Sequence, residues 1–376
     1  MPDDTAALLV LHAAGGALAP RRALLEALAT PAAVLRAGPR EWRHHGLGDA
    51  QVQALQQPDP ALLADSLDWL QAPGHHLVGW HDPDYPALLR RISSPPLALF
   101  VAGDPALLWH PAVAVVGSRS PSAGGRDNAF DFARALAASG LAVSSGLAAG
   151  IDTAAHEGAL AVGGLTLAVL GTGPDVPYPR ANTALHARIA ESGAVVSEHP
   201  PGTGAQRGHF PSRNRILAGL SLATLVVEAA QRSGALITAR LAGEAGREVL
   251  AVPGSIHNPL ARGCHRLIRD GAGLVESAQE VVAAIGPLAT ELADALRDRL
   301  AAPTSHATAL ADRQASVGGV DPDYQRLWQA LGHDPTGMDR LVSRTGLTAA
   351  ELSSMLLVME LEGRVVVEHG RYSRKR

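Results

Sequence analysis

Beyond residue 112 the chain alternates short apolar runs with longer stretches of helical spacing. The runs are AVAVVG (112–117), LAVSSG (141–146), LTLAVLG (165–171), AVVSE (194–198), ATLVVEA (223–229) and EVLAVPG (248–254). They are apolar at consecutive positions rather than at every second one, the pattern of strands buried on both faces. Segments such as GRDNAFDFARALAASG (125–140) separate them with helical periodicity. Buried strands alternating with helices predict an α/β fold built on a Rossmann-like, doubly wound, mostly parallel sheet. Many of the runs end in Gly or Ser, and the carboxyl ends of such strands are where the binding crevice of the sheet lies.

Both flanks read differently. Residues 1–75 are rich in Ala and Leu at helical spacing, broken by Pro20, Pro31, Pro39, Pro58 and Pro60, which predicts a domain of several short helices. Within it, GLGDAQVQAL (46–55) fits a plain helical bundle, and also the helix–turn of modules that touch DNA backbones. HDPDYPALLRRISSPPLALFVAGD (81–104) is a proline-rich connector ending in a short strand, and the sheet domain is expected over 76–286. From 287 to 320 the text turns to Ala, Pro, Thr, Ser and Asp, consistent with a helix running into a linker. Residues 321–376 read as helix, turn, helix and β-hairpin, the order of a winged helix.

Composition narrows the chemistry. At 376 residues with 47% hydrophobic and 18% charged positions, the chain suits a multidomain globular protein. No apolar run approaches the roughly 20 residues of a membrane span. The acidic start MPDDTAALLV does not read as a secretory signal, and the single Cys264 leaves no internal disulfide framework, so a cytoplasmic location is expected. Net charge is −4, yet residues 207–269 hold nine Arg and three Glu with no Asp or Lys. Such a local surplus steers anions even on an acidic molecule. Lys375 is the only lysine, so a P-loop has no residue to supply its ammonium group. Any phosphate must be held by Arg, hydroxyls or backbone N–H groups.

Three strand exits carry candidate chemistry. VVGSRSPSAGG (115–125) sets Ser118, Arg119, Ser120 and Ser122 at a helix start, where free N–H groups and the helix dipole favour an anion. It lacks the G-x-G-x-x-G dinucleotide fingerprint, so it reads either as a serine-rich capping turn or as an anion site. SSGLAAGID (144–152) repeats the logic, with Gly146 and Gly150 permitting close backbone approach. Asp152 and His156, at i and i+4, fit a helix-start hydrogen-bonded pair better than a catalytic one, since no nucleophile motif accompanies them. In LGTGPDVPYPRAN (170–182), Asp175 and Tyr178 read as turn residues.

HFPSRNRILAGLS (209–221) is the richest stretch. A helix starting near Ser212 would place Ile216, Leu217 and Leu220 on one apolar stripe, with Asn214 and Arg215 off it and Arg213 in the first turn. Arginine offers planar, forked donors for phosphate oxygens. Phe210 offers a ring on which an unpaired base stacks, worth roughly 1–3 kcal/mol. From spacing alone Phe210 fits a core ring equally well. The paired histidines His44–His45 and His75–His76 lack metal-ligand spacing, no G-x-S-x-G is present, and no metal or cofactor is expected.

The motifs AVVGSR, SSGLAAGID, VLGTGPDVPYPRAN, SEHPPGTG, HFPSRNRILAGLS, VVEAAQRSGALITARLAGEAGREVLAVPGS and GCHRLIRDGA occur in this order. Together they closely resemble the DNA-processing protein A (DprA/Smf) family over about 80–280, with a helical SAM or helix-hairpin-helix-like flank before and a winged helix after. The resemblance implies a cytoplasmic, non-enzymatic protein that binds single-stranded DNA without sequence preference. It would protect the strand and help load the RecA recombinase in natural transformation and recombination. It implies phosphate contacts from Arg119 and Arg207, base stacking on Phe210, and a strand lying beside Ser118, Ser145 and Gly146, with His209, Arg213, Asn214 and Arg215 shaping the pocket. It further implies a homodimer through His265, Ile268, Arg269 and Leu274. Two competing readings stand beside it. One is a nucleotide-acting enzyme related to nucleoside-monophosphate phosphoribohydrolases. The other is a regulator reading duplex DNA through the winged helix, whose recognition segment TAAELSSMLLVMELEG (348–363) has no Arg or Lys.

Overall fold

The computed structural model describes residues 4–301 together with 326–328, 330–331, 336–347, 352, 355, 356, 359, 365–368 and 371–374. The chain forms two compact units, 1–301 and 302–376.

The first unit opens with five helices: α1 (Asp4–Ala13), α2 (Leu18–Leu28), α3 (Pro31–His44), α4 (Asp49–Gln56) and α5 (Pro60–Leu70). The prolines that break the helical pattern also start helices. Pro31 and Pro60 stand at first-turn positions, behind Thr30 and Asp59, whose side chains accept from the first-turn N–H groups. The GLG stretch becomes the turn between α3 and α4, with Gly46 at φ +88°. Arg22 of α2 and Arg90 of the proline-rich connector both lie over the Trp80 ring, at 5.3 and 4.5 Å, which ties the helices to that connector.

Beyond the helices the chain builds a nine-stranded sheet. Its strands are β1 (His75–Gly79), β2 (Ala98–Gly103), β3 (Ala112–Val116), β4 (Ala142–Ser145), β5 (Thr166–Leu170), β6 (Ala194–Ser197), β7 (Ala223–Val226), β8 (Glu248–Ala251) and β9 (Gly273–Leu274). The order is β1-β2-β6-β5-β4-β3-β7-β8-β9. β1 and β2 pair antiparallel with their neighbours, and every other pairing is parallel. Each of the six strands read from the sequence is present. β1 lies in HHLVG, which carried no strand signal.

Helices α6 (Ala87–Arg90), α7 (Ala123–Ala138), α8 (Ile151–Leu160), α9 (Thr183–Ser192), α10 (His209–Leu220), α11 (Gly234–Glu244), α12 (Arg262–Arg269) and α13 (Ala278–Ala301) complete the unit. Side chains alternate faces along β3. Ala112, Ala114 and Val116 belong to one buried cluster with residues of α1–α3 and α10, whereas Val113 and Val115 belong to another with residues of α7, α8 and α13. Sheet and N-terminal helices therefore share one core. α13 continues to Ala301, in line with the helix expected to lead into the linker after 287. Residues 302–320 lie outside the described residues.

From β3 the chain steps outward through β4, β5 and β6, then returns to the other side of β3 to lay down β7, β8 and β9. The reversal opens a crevice at the carboxyl ends of β3 and β7.

The second unit is a winged helix. Its described parts are β10 (Thr336–Gly337), α14 (Met338–Thr345), β11 (Val365–Glu368) and β12 (Arg371–Arg374), with β12 central in a three-stranded sheet. Leu352, Met355, Leu356 and Met359 are helical and buried at i, i+3, i+4 and i+7 spacing, one apolar stripe. The rest of the 348–363 segment lies outside the described residues.

Candidate nucleic-acid interface

The loop after β3 runs through Gly117, where a Cβ would fall 2.6 Å from Ile151 and 2.7 Å from the Glu228 carbonyl oxygen. Only glycine lets the chain pass. Ser118 is then tied on both sides, its N–H donating to Glu228 O at 2.7 Å and its carbonyl accepting from Ile151 N at 3.1 Å. Arg119 emerges exposed at the crest.

The loop after β4 is held by side chains. The Asp152 carboxylate accepts from Gly146 N and Ala148 N at 3.1 and 3.3 Å. Asn182 donates to Leu147 O at 2.8 Å, and Thr153 donates to Ala148 O at 2.8 Å. These bonds hold the fully buried Leu147 at φ +55°, a backbone state that costs a side-chain-bearing residue about 1–3 kcal/mol. Gly150, at φ +87°, passes so close to the β3 loop that a Cβ would lie 2.4 Å from Ser118 O.

The third contributor is the start of α10. Phe210 is half-buried, and Gly171 makes room for it, since a Cβ there would sit 3.1 Å from the ring. The Arg119 guanidinium lies 5.9 Å from the ring centroid. Tyr178, 45% exposed, stands on another side with centroids 5.2 Å apart and planes tilted by 40°. Arg207 is exposed and makes no hydrogen bond or ion pair among the described residues.

Beneath this group lie two adjoining cavities. A small one of about 130 Å³ touches Arg119, Gly146, Tyr178, Phe210 and Arg213. A larger one of about 480 Å³ fills the crevice between β3 and β7, reaching Ser118, Arg119, Asp152, Asn214, Arg232 and the start of α11. Their floor carries two buried, electrostatically coupled charges, Arg213 and Asp152. Burial lowers the Arg213 pKa to about 10 while Asp152 opposes the shift, and burial pushes the Asp152 carboxyl up while Arg213 pulls it down. Arg213 also donates to Val169 O, and its Nε is buried without a partner.

The structure brings Arg119, Phe210, Ser118, Asn214 and Gly146 together around these cavities. Several sequence expectations are corrected. α10 begins at His209 rather than near Ser212, so Pro211 lies inside its first turn. Arg213, expected among the residues that shape the pocket, is only 6% exposed, and Gly146 makes room for it, because a Cβ there would fall 2.4 Å from the guanidinium. Ser145, expected beside the strand, is fully buried and donates to Val115 O at 2.7 Å. Arg215 turns away, bonding Ser94 O at 2.7 Å and the Glu198 carboxylate at 2.5 Å. His209 stacks on His199 at 3.8 Å and contacts Gly171 O. Asp152 and His156 do not pair, since His156 bonds Thr166 at 2.7 Å.

The start of α7 differs most from expectation. Ser122 caps it, accepting from Gly125 N, but Ser122 N and Oγ donate to the Glu228 carboxylate at 2.9 and 2.6 Å. The anion at this helix start is the protein's own side chain. Sequence reading missed Glu228, Tyr178 and Arg232. Only Tyr178 gave a signal, as an aromatic between two prolines. Of the residues expected at a dimer face, Leu274 is exposed on the sheet-edge strand β9 and Arg269 is exposed on α12. Ile268 packs partly on the core, and His265 bonds Gly254 O at 2.9 Å.

The fold and the site define a Rossmann-like protein with an arginine- and aromatic-lined crevice at the reversal of a parallel sheet. Residues 76–286 match the family model of DNA recombination-mediator protein A, and residues 310–371 match the DprA winged helix domain. Protein Smf of Escherichia coli (strain K12) is 39% identical over 332 residues, covering 88% of this chain and 86% of that one. DNA processing protein DprA of Streptococcus pneumoniae is 50% identical over 202 residues, covering 54% of this chain and 71% of that one. The X-ray structure of the S. pneumoniae protein aligns with TM-score 0.66 and 38% identity over 75% of this chain and 98% of that one. The chain belongs to the DprA/Smf family of DNA processing proteins.

Proposed function

We propose that the crevice binds single-stranded DNA without sequence preference, Arg119 and Arg207 gripping phosphates while Phe210 and Tyr178 stack on bases. The observation that carries this reading is the convergence of a guanidinium and two aromatic rings above cavities floored by the buried Arg213 and Asp152. A duplex hides its base faces from such rings, whereas an unpaired strand offers them. The proposal extends, on the family resemblance, to a cytoplasmic homodimer that protects strands and helps load RecA, without catalysis of its own. The competing nucleotide-acting enzyme is disfavoured by Glu228, whose carboxylate occupies the α7 start where a nucleotide phosphate would sit.

Titration of fluorescent single strands across salt tests the assignment. Each phosphate neutralised contributes a slope of about −0.7 in log K against log salt. Phe210→Ala is expected to weaken binding by roughly 1–3 kcal/mol with the slope kept. Arg207→Ala is expected to flatten the slope by about one contact. Wild-type affinity in both variants would refute the site, and release of free base from a nucleotide panel would favour the enzyme.

A further inference from the structure

We propose that a single strand leaving the crevice crosses Arg232 and continues through an arginine-lined groove between α11 and α12, a second nucleic-acid subsite. The inference rests on the crevice being a single-strand site. A separate cavity of about 700 Å³ lies along this groove, and Arg232, Ser233 and Ile237 line both it and the crevice cavity. The two spaces therefore adjoin, with an exposed arginine on the shared rim.

The groove offers a polyanion several guanidinium groups. Arg232, Arg240, Arg247 and Arg266 line it with Glu248 and Asp270, and Glu244 stands beside Arg240, which leaves a surplus of one positive charge. Arg247 is buried and bonded to Leu88 O at 2.8 Å, so it acts as framework. The available donors are Arg232, Arg240 and Arg266. Arg240 pairs with Glu244, and Arg266 lies 3.4 Å from Asp270, but all four side chains are more than half exposed. Exposed pairs of this kind are worth little, so a phosphate can displace the carboxylate without a large penalty.

The floor between these guanidinium groups is apolar, formed by Leu236, Val249 and Leu267. Basic rims over an apolar floor suit a strand whose bases are unpaired, since phosphates meet the rims and base faces meet the floor. Helical geometry also keeps this groove apart from the face the family resemblance assigns to dimerisation. Arg266, Leu267 and Asp270 share one arc of the α12 spiral, and His265, Ile268 and Arg269 fall on the opposite arc.

The test is length dependence in the full-length protein. Wild type and the double variant Arg240→Ala/Arg266→Ala are titrated with oligothymidylates of about 4–6 and of about 16 or more nucleotides. The double variant is expected to bind the short strand as wild type does. It should lose about tenfold on the long strand, with a salt slope shallower by about 1.4, two phosphate contacts' worth. Arg266→Lys, which keeps the charge, is expected to retain the slope. A double variant with wild-type affinity and slope at both lengths overturns the proposal. So does one that alters only the oligomeric state, which would mark the groove as a protein interface. Phe210→Ala separates the two readings. It should weaken short and long strands alike, and its failure to do so would count against the crevice itself.

Discussion

Two helices start at the reversal of the sheet, and they differ in what faces them. α7 follows β3 and α11 follows β7, and both begin with a capping serine and small residues. At α7 the space beyond the cap is filled. The Glu228 carboxylate takes the Ser122 N–H and hydroxyl and a 2.9 Å bond from Asn258, and a Cβ on Gly125 would lie 2.3 Å from its Cδ. At α11 Ser233 accepts from Ala235 N at 3.2 Å, and a Cβ on Gly234 would meet nothing within 4 Å. One helix start is closed by an internal anion, and the other opens on the cavity beside Arg232. A helix terminus is an anion site only where the fold leaves it vacant.

The largest effect expected from breaking this contrast is at Glu228. Glu228→Ala strips the acceptor from three donors, which should cost roughly 3 kcal/mol in thermal or denaturant melts. It should also create an anion site at α7, so that phosphate raises the Tm of the variant and leaves that of wild type unmoved. A variant as stable as wild type and indifferent to phosphate would break the comparison.

Acid acts elsewhere, through His156 of α8, which bonds Thr166 of β5. Burial lowers its pKa to about 3 from the ordinary 6.5, and its buried Nε2 has no hydrogen-bond partner among the described residues. The folded state keeps it neutral while the unfolded chain takes up a proton, so its contribution is complete above 6.5 and falls as pH drops from 6.5 toward 3. At pH 5.5 the loss is about 1 kcal/mol. Melting at pH 7.5 and 5.5 is expected to differ less in His156→Gln than in wild type, while Glu228→Ala should respond as wild type does.

Ser233→Ala sharpens the other side of the contrast with the smallest effect. Removing this cap should cost about 1 kcal/mol of stability. It leaves the guanidinium groups of the cavity in place, so the salt slope of strand binding should stay unchanged. A flattened slope would place a phosphate directly on the serine.

The sheet was legible because its signal is local. Short runs of consecutive apolar residues carry no helical stripe, and six such runs named six strands. The site was legible only in part. Arg119 and Phe210 stood out because exposed-type chemistry sat at strand exits, and both line the cavities. Arg213 and Arg215 were both expected to shape the pocket. Their fates diverged over about half a turn of helix, Arg213 turning inward toward Gly146 and Asp152, and Arg215 outward onto Glu198.

What the sequence determined by itself is therefore the order of elements, the strand exits and the local basic surplus, each carried by neighbours within a few residues. Tertiary structure alone decided which arginines face the crevice, which helix start is vacant, and that Tyr178 joins Phe210. Those outcomes depend on residues far apart in the chain, such as Ser122 and Glu228, being brought within 3 Å by the crossing of β7 back to β3. Periodicity carries no information about such distances, because it encodes which face a residue takes and not what the fold sets opposite that face.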